Sequence, residues 1–349
     1  MKQAMFRNVM AFERALGTGI IISSSVPISQ RVQKRIRAFV EEYESVLSRF
    51  REDSLVSRMS RAEDGGEFEF PTWAQPLFAL YSEFYAATHG AFDACVGADL
   101  LALGYNNSVR FIPQSAAGSG KNENSSSDSW SNYRRALPVT WADISQGGGG
   151  TTLCTNQPVQ LDFGAAGKGY FVDFVTQIIK EELSEQLHED FDFLVNAGGD
   201  MRACFSKENS QIKVALENPF DTTQAVGVAS IASGALCASS SARKRWKVKE
   251  ASYLGKDASG FESNLIATHL INALDGIPAC DLCASWAYVP AKTCDFPAAY
   301  ADAIASALFV SKESDLQKIV QNVGAEFAVI SPNHALRKTR AFPAHFFAE

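Results

Sequence analysis

The chain has 349 residues, 46% hydrophobic and 20% charged, a composition that excludes a wholly disordered or collagen-like protein. Lysine and arginine total 32 against 39 aspartate and glutamate, a net charge of −7. Nucleic-acid binding as the main task is disfavoured, because it needs a basic surface to replace phosphate counterions.

At about 150 residues per domain the length admits two domains or one large α+β domain. No run approaches the roughly 20 apolar residues of a membrane span. The best N-terminal stretch, residues 17–27, is short and interrupted by Ser23-Ser24-Ser25. It reads as no signal peptide, and a cytoplasmic location follows as the expectation. Residues 19–28 read as a first strand. Over residues 31–50, Val32, Ile36, Phe39, Tyr43, Val46 and Phe50 recur at helical spacing. A second helix is expected over 73–88, with Gly90 suited to the left-handed position beyond its end. Residues 115–131, SAAGSGKNENSSSDSWS, are too polar and small to offset ordering entropy and read as a flexible surface insertion. The glycines at 147–150 read as a loop or hairpin tip.

Further on, residues 159–163 read as a strand, 164–169 as a small-residue turn and 170–183 as a helix. Strands are expected over 192–196, 212–216 and 226–232. Two helices, 298–310 and 315–323, follow, with Gly324 as a stop and 327–330 as a last strand. The strands are too irregularly spaced for βαβ alternation, so the class is α+β. The seven cysteines are odd in number and scattered, which fits reduced thiols. Cys280, Cys283 and Cys294 lack the second pair or histidine that would complete a four-ligand metal site.

Four segments carry candidate chemistry. GAFDACVG (residues 90–97) puts Asp93 among small residues, where a capping aspartate is also at home. LDFGAAGKGY (161–170) is a small-residue turn entering a helix, with Lys168 adding positive charge. Such a turn brings backbone close to a phosphate, and also suits a tight connection with no ligand. VNAGGD (195–200) is a polar, glycine-bearing strand end. In YADAIAS (300–306), Asp302 and Ser306 are four apart and share a helix face; their oxygens suit a hard cation such as Mg²⁺, or simply solvent. His269 stands in an apolar run, ATHLI (267–271).

Together and in this order, these segments resemble the ApbE family of flavin transferases. DSLVSR (53–58), GAFDACVG, LDFGAAGKGY followed by Asp173, VNAGGD, HLINALDG (269–276) and ADAIASAL (301–308) follow the family's motifs, over roughly residues 16–331. The resemblance implies a single α+β domain over 1–349, with a mainly antiparallel sheet core flanked by helices. It implies Mg²⁺-dependent transfer of FMN from FAD to a threonine or serine of an acceptor flavoprotein, releasing AMP. Phe50, Ala91, Phe92, Asp93, Asp162, Lys168 and His269 would then contact the flavin nucleotide. The Ala165 carbonyl, Asp302 and Ser306 would hold Mg²⁺, and His269, with Asp302, would serve catalysis. Ser306 replaces the family's usual threonine and keeps the hydroxyl. Asn272 and Ala273 replace Asp-Pro after the histidine, which touches the acceptor side more than the metal side. FAD hydrolysis to FMN and AMP, or flavin carriage without catalysis, are the alternatives on the same site.

Overall fold

The computed structural model describes residues 6–106, 108–111, 139–186, 191–248 and 266–347; the low-complexity segment 115–131 lies outside them. Its centre is an eight-stranded sheet, antiparallel at every pairing. Its strands are β1 (Asn8–Ala15), β2 (Thr18–Ser24), β3 (Phe193–Ala197), β4 (Asp200–Cys204), β5 (Gly234–Ser240), β6 (Ala284–Pro290), β7 (Glu326–Ile330) and β8 (Leu336–Lys338). They lie side by side in chain order, a meander whose connections carry the rest of the molecule.

Within the stretch at 17–27, Thr18–Ser24 forms β2, the partner of β1. Leu16 and Gly17 link the two strands with φ of 54° and 71°, the positive pair that a two-residue hairpin turn needs. Central strands β4, β5 and β6 are buried nearly end to end. Helices cover one face. On the other, a three-stranded sheet (Ile212–Glu217, Ala225–Ile231, Ala344–Phe346) buries Leu216 and Ile231 against Leu236, Trp286 and Ala328.

The helices are α1 (Gln30–Leu47), α2 (Leu55–Met59), α3 (Gln75–Ala87), α4 (Gly97–Ala102), α5 (Gly167–Gln186), α6 (Pro297–Ala307) and α7 (Glu313–Asn322). Helix α1 starts at Ser29, whose hydroxyl accepts from Val32 N, and buries the face expected from its spacing. It ends before Phe50. Every residue of α6 except Tyr300 is buried. Its alanines let it lie between α5 and strands β5 and β6.

Residues 159–163 are not a strand. Val159, Leu161 and Phe163 alternate inward as expected, but the segment joins no ladder. Its backbone bonds reach scattered partners instead: Val159 N donates to Met59 O, Asp162 N to Ala94 O, and Gln160 O accepts from Gly97 N. The glycines at 148–150 do form the tip of a hairpin, between Ser145–Gly147 and Thr152–Thr155.

Candidate active site

The helix α5 N-terminus and the middle of α6 meet where neither carries a bulky side chain. A Cβ on Gly169 would overlap the Ala298 carbonyl and lie 2.8 Å from Asp302 Cβ. Only glycine permits this approach. It lets the Gly169 amide donate to Asp302 Oδ2 at 2.9 Å. The crossing is fixed a second time by Asp173 on α5, whose carboxylate accepts from Ala298 N and Ala299 N at the start of α6. Arg202 on β4 completes this buried set, at 2.7 Å from Asp173. Burial pushes the Asp173 carboxyl up to about 6, with Arg202 and the two amides pulling against it.

The VNAGGD segment is the β3–β4 hairpin. Gly198 and Gly199 have φ of 65° and 108°, Asn196 Oδ1 accepts from Gly199 N, and Asp200 begins β4. Asp200 Oδ2 lies 2.5 Å from Lys168 Nζ, which is also 3.4 Å from both oxygens of Asp302. Both carboxylates are almost wholly buried. Burial alone would lower the Lys168 pKa, but Asp200 and Asp302 outweigh it and hold the ammonium charged. Burial, then Asp200, pushes the Asp302 carboxyl up, while Lys168 and the Gly169 amide oppose the shift. One turn along α6, Ser306 Oγ lies 3.0 Å from Ser239 Oγ on β5.

Asp162 borders this cluster. It accepts from Gly164 N at 2.7 Å and pairs with Arg49. The Arg49 guanidinium also donates to Tyr105 O at 3.0 Å and lies over the Phe50 and Tyr105 rings, 4.2 and 4.9 Å from their centroids. Its Nη2 is buried and, among the described residues, has no hydrogen-bond partner. Phe50, 38% exposed, stands edge-on to Tyr105, which stacks on Trp246. This wall is aromatic, partly open and backed by a cation.

The GAFD segment sits deeper. Ala91 and Phe92 are buried, Phe92 among Tyr81 and Phe84. Asp93 accepts from Cys95 N and Trp141 N, so its carboxylate ties two loops together. The Ala91 carbonyl accepts from Ala273 N, which docks the segment carrying His269. His269 follows a short strand, Ile266–Thr268, paired with Arg245–Lys247. Its Nδ1 is buried and, among the described residues, has no hydrogen-bond partner. Burial, then Lys244 and Lys168, holds its pKa well below the ordinary histidine value, so the imidazole is neutral near pH 7.

Lys168, Asp302 and Ser306 are thus drawn together, with Asp162 and His269 at the borders, while Ala91 and Phe92 are packed into the core. Asp200, Arg49 and Lys244 were not foreseen as site residues. For Asp200 the signal was available in the VNAGGD segment; for the other two it exists only in three dimensions.

A family model, described as the ApbE family, matches residues 16–330. The chain belongs to the ApbE family. Among solved structures, it is similar to the ApbE protein of Thermotoga maritima, with TM-score 0.70 and 20% identity over 96% of this chain and 97% of that one. The flavin transferase ApbE of Vibrio cholerae gives TM-score 0.66 and 18% identity over 95% and 96%. The flavinyl transferase ApbE of Pseudomonas stutzeri in its apo form gives TM-score 0.64 and 21% identity over 98% of both chains. At these identities the likeness establishes the fold. No curated protein sequence matches the chain. Among the described residues no helix is long and apolar enough to cross a membrane.

Proposed function

We propose that this protein is a Mg²⁺-dependent FAD:protein FMN transferase, acting on a threonine or serine of an acceptor flavoprotein in its own compartment, which we take to be the cytoplasm. The observation that carries the reading is the buried Lys168–Asp200–Asp302 cluster at the α5 N-terminus, in a chain of the ApbE family. A helix N-terminus with an adjacent ammonium favours a phosphate group. The Arg49-backed wall of Phe50 and Tyr105 offers a face to an isoalloxazine ring.

The donor set fits Mg²⁺. Among the described residues Asp302 Oδ1 is met by Lys168 alone, at 3.4 Å, which leaves it capacity for a cation. Ser306 Oγ and the Ala165 carbonyl are hard oxygen donors of the kind Mg²⁺ takes. Among the described residues no three His, Cys, Asp or Glu side chains converge as a cage. The ion would therefore be held by one carboxylate with hydroxyl, carbonyl and phosphate oxygens, a usual pattern for Mg²⁺. When bound it supplies neutralisation of the pyrophosphate and of the charge developing on AMP.

The residues of the chain account for the remainder. Lys168 holds the pyrophosphate, and Asp200 holds Lys168. The neutral His269 accepts the proton of the acceptor hydroxyl. The hydroxyl oxygen bonds to the FMN-side phosphorus, the bond from that phosphorus to the bridging oxygen breaks, and AMP leaves with that oxygen.

The test is incubation of purified protein with FAD, Mg²⁺ and a flavoprotein acceptor, followed by intact-mass measurement of the acceptor. The expected result is a covalent FMN adduct that is lost in Asp302→Ala. AMP release with no adduct and no acceptor dependence would make the protein an FAD pyrophosphatase. FAD binding with neither product would make it a carrier.

A further inference from the structure

Helix α6 carries Asp302 and Ser306 at the candidate active site, and its one residue that is not buried, Tyr300, lines a different place. Positions two apart on a helix are turned by about 200°, so Tyr300 and Asp302 leave α6 on opposite sides. On the Tyr300 side lies a cavity of about 250 Å³, bounded by α3, the first turn of α5 and the start of α6. Helix α3 gives it one face, on which Pro76, Ala79, Leu80 and Glu83 follow one another at three- and four-residue spacing. The other walls include Tyr170, Phe296 and Tyr300. The rings of Tyr170 and Phe296 have their centroids 5.1 Å apart and are tilted by 39°. The Tyr170 hydroxyl donates to Trp73 O, and the Tyr300 hydroxyl donates to Glu83 Oε2 at 2.8 Å. These two bonds hold two of the rings and the carboxylate in place.

The electrostatics of this cavity are one-sided. Among the described residues no lysine, arginine or histidine lines it, and half-buried Glu83 has no ion-pair partner. Aromatic faces are the negative part of the ring quadrupole. Three rings beside a carboxylate therefore suit a guest that is positive and partly apolar. An anion would be repelled. A neutral apolar guest would take water from Glu83 and return no hydrogen bond or charge. A guanidinium pairs best with two free carboxylate oxygens, and Tyr300 already holds one of them. An ammonium group needs only the other.

We propose that this cavity is a binding site for a small alkylammonium ion, with Glu83 as the counter-charge and Tyr170, Phe296 and Tyr300 as aromatic walls. The ion is small because the volume falls below the roughly 300–1,000 Å³ of sites for drug-sized ligands. The site is separate from the Lys168–Asp200–Asp302 cluster and uses none of its side chains, so it stands or falls independently of flavin transfer.

The experiment is calorimetric titration, at fixed ionic strength, of choline and of its uncharged isostere 3,3-dimethylbutan-1-ol into wild type, Glu83→Gln and Ala79→Trp. Thermal melts of all three proteins accompany it. Wild type is expected to bind choline at least about tenfold more tightly than the alcohol. Glu83→Gln should weaken choline about tenfold and leave the alcohol unchanged. Ala79 is exposed and lines the cavity, so tryptophan there should fill the space from outside the core and abolish choline binding with an unchanged melt. Absence of choline binding to wild type would overturn the proposal. Equal wild-type affinity for choline and the alcohol would also overturn it, since the cavity would then be merely apolar. So would undiminished choline affinity in Ala79→Trp, which would put the ion elsewhere on the protein, or in Glu83→Gln, which would remove the counter-charge. If Glu83→Gln melts early, the wild-type preference and Ala79→Trp decide the matter.

Discussion

Gly169 on α5 and Asp302 on α6 are joined by a hydrogen bond that exists because residue 169 has no side chain. The amide reaches Asp302 Oδ2 at 2.9 Å, and a Cβ at 169 would collide with the α6 backbone. Helix packing and the position of the candidate metal-binding carboxylate are therefore one feature of the structure.

Gly169→Ala should consequently damage stability and activity together. Overpacking of this kind costs about 3 kcal/mol, visible as a lower urea midpoint. AMP release should fall further than FAD affinity, because Asp302 moves with α6. A variant with wild-type stability and activity would show that the crossing is loose.

The Asp173–Arg202 pair makes a separate prediction, about stability alone. Asp173 is fully buried and holds Arg202 and the first amides of α6. Asp173→Ala leaves a buried guanidinium unpaired, which costs about 3–5 kcal/mol. Denaturant unfolding should register that loss.

Substitutions at Asp302 and Ser306 separate metal binding from nucleotide binding. Asp302→Asn should abolish Mg²⁺-dependent AMP release, while FAD still binds through the aromatic wall and Lys168. Ser306→Thr keeps the hydroxyl and should stay active. Ser306→Ala should raise the Mg²⁺ needed for half-maximal release by at least about tenfold. Equal behaviour of Ser306→Thr and Ser306→Ala would remove the hydroxyl from the metal site.

The depressed His269 pKa fixes a pH dependence. A base must be neutral to accept a proton, and burial with Lys244 and Lys168 keeps His269 neutral below the ordinary value of about 6.5. The acid limb of the transfer rate should therefore lie below pH ~6.5. Because the folded state binds the His269 proton less readily than the unfolded chain, its contribution to stability is present above pH ~6.5. That contribution is lost as pH falls through the folded pKa. His269→Asn should remove acceptor transfer while sparing FAD binding, and a rate profile of wild type with an acid limb at pH ~6.5 or above would contradict the assignment.

Elements with one buried face were legible in the sequence. Helix α1 and the strand Ile212–Glu217 follow their apolar periodicity closely. Strands β4, β5 and β6 are covered on both faces by helices and a second sheet, so they carry no alternation to read. Residues 159–163 show the converse: Val159, Leu161 and Phe163 alternate as a strand should, but a ladder needs a neighbouring strand, and among the described residues their backbone bonds go to Met59, Ala94 and Gly97, all in helical segments.

The candidate site divides in the same way. Lys168, Asp302 and Ser306 stand in local motifs, so spacing and family resemblance together pointed to them. The pairing of Lys168 with Asp200 and of Asp162 with Arg49 joins segments distant in the chain, which no spacing encodes. Asp93 is a conspicuous motif residue, yet its carboxylate accepts two backbone amides and ties loops together.

The most direct test of the account is titration of FAD into the purified protein with and without Mg²⁺, reading AMP in the same samples. The account predicts FAD binding that Mg²⁺ strengthens, and AMP release that needs Mg²⁺ and rises with an acceptor flavoprotein. Absence of FAD binding under both conditions would contradict it, leaving the Lys168–Asp302 cluster as a shared architecture without the proposed chemistry.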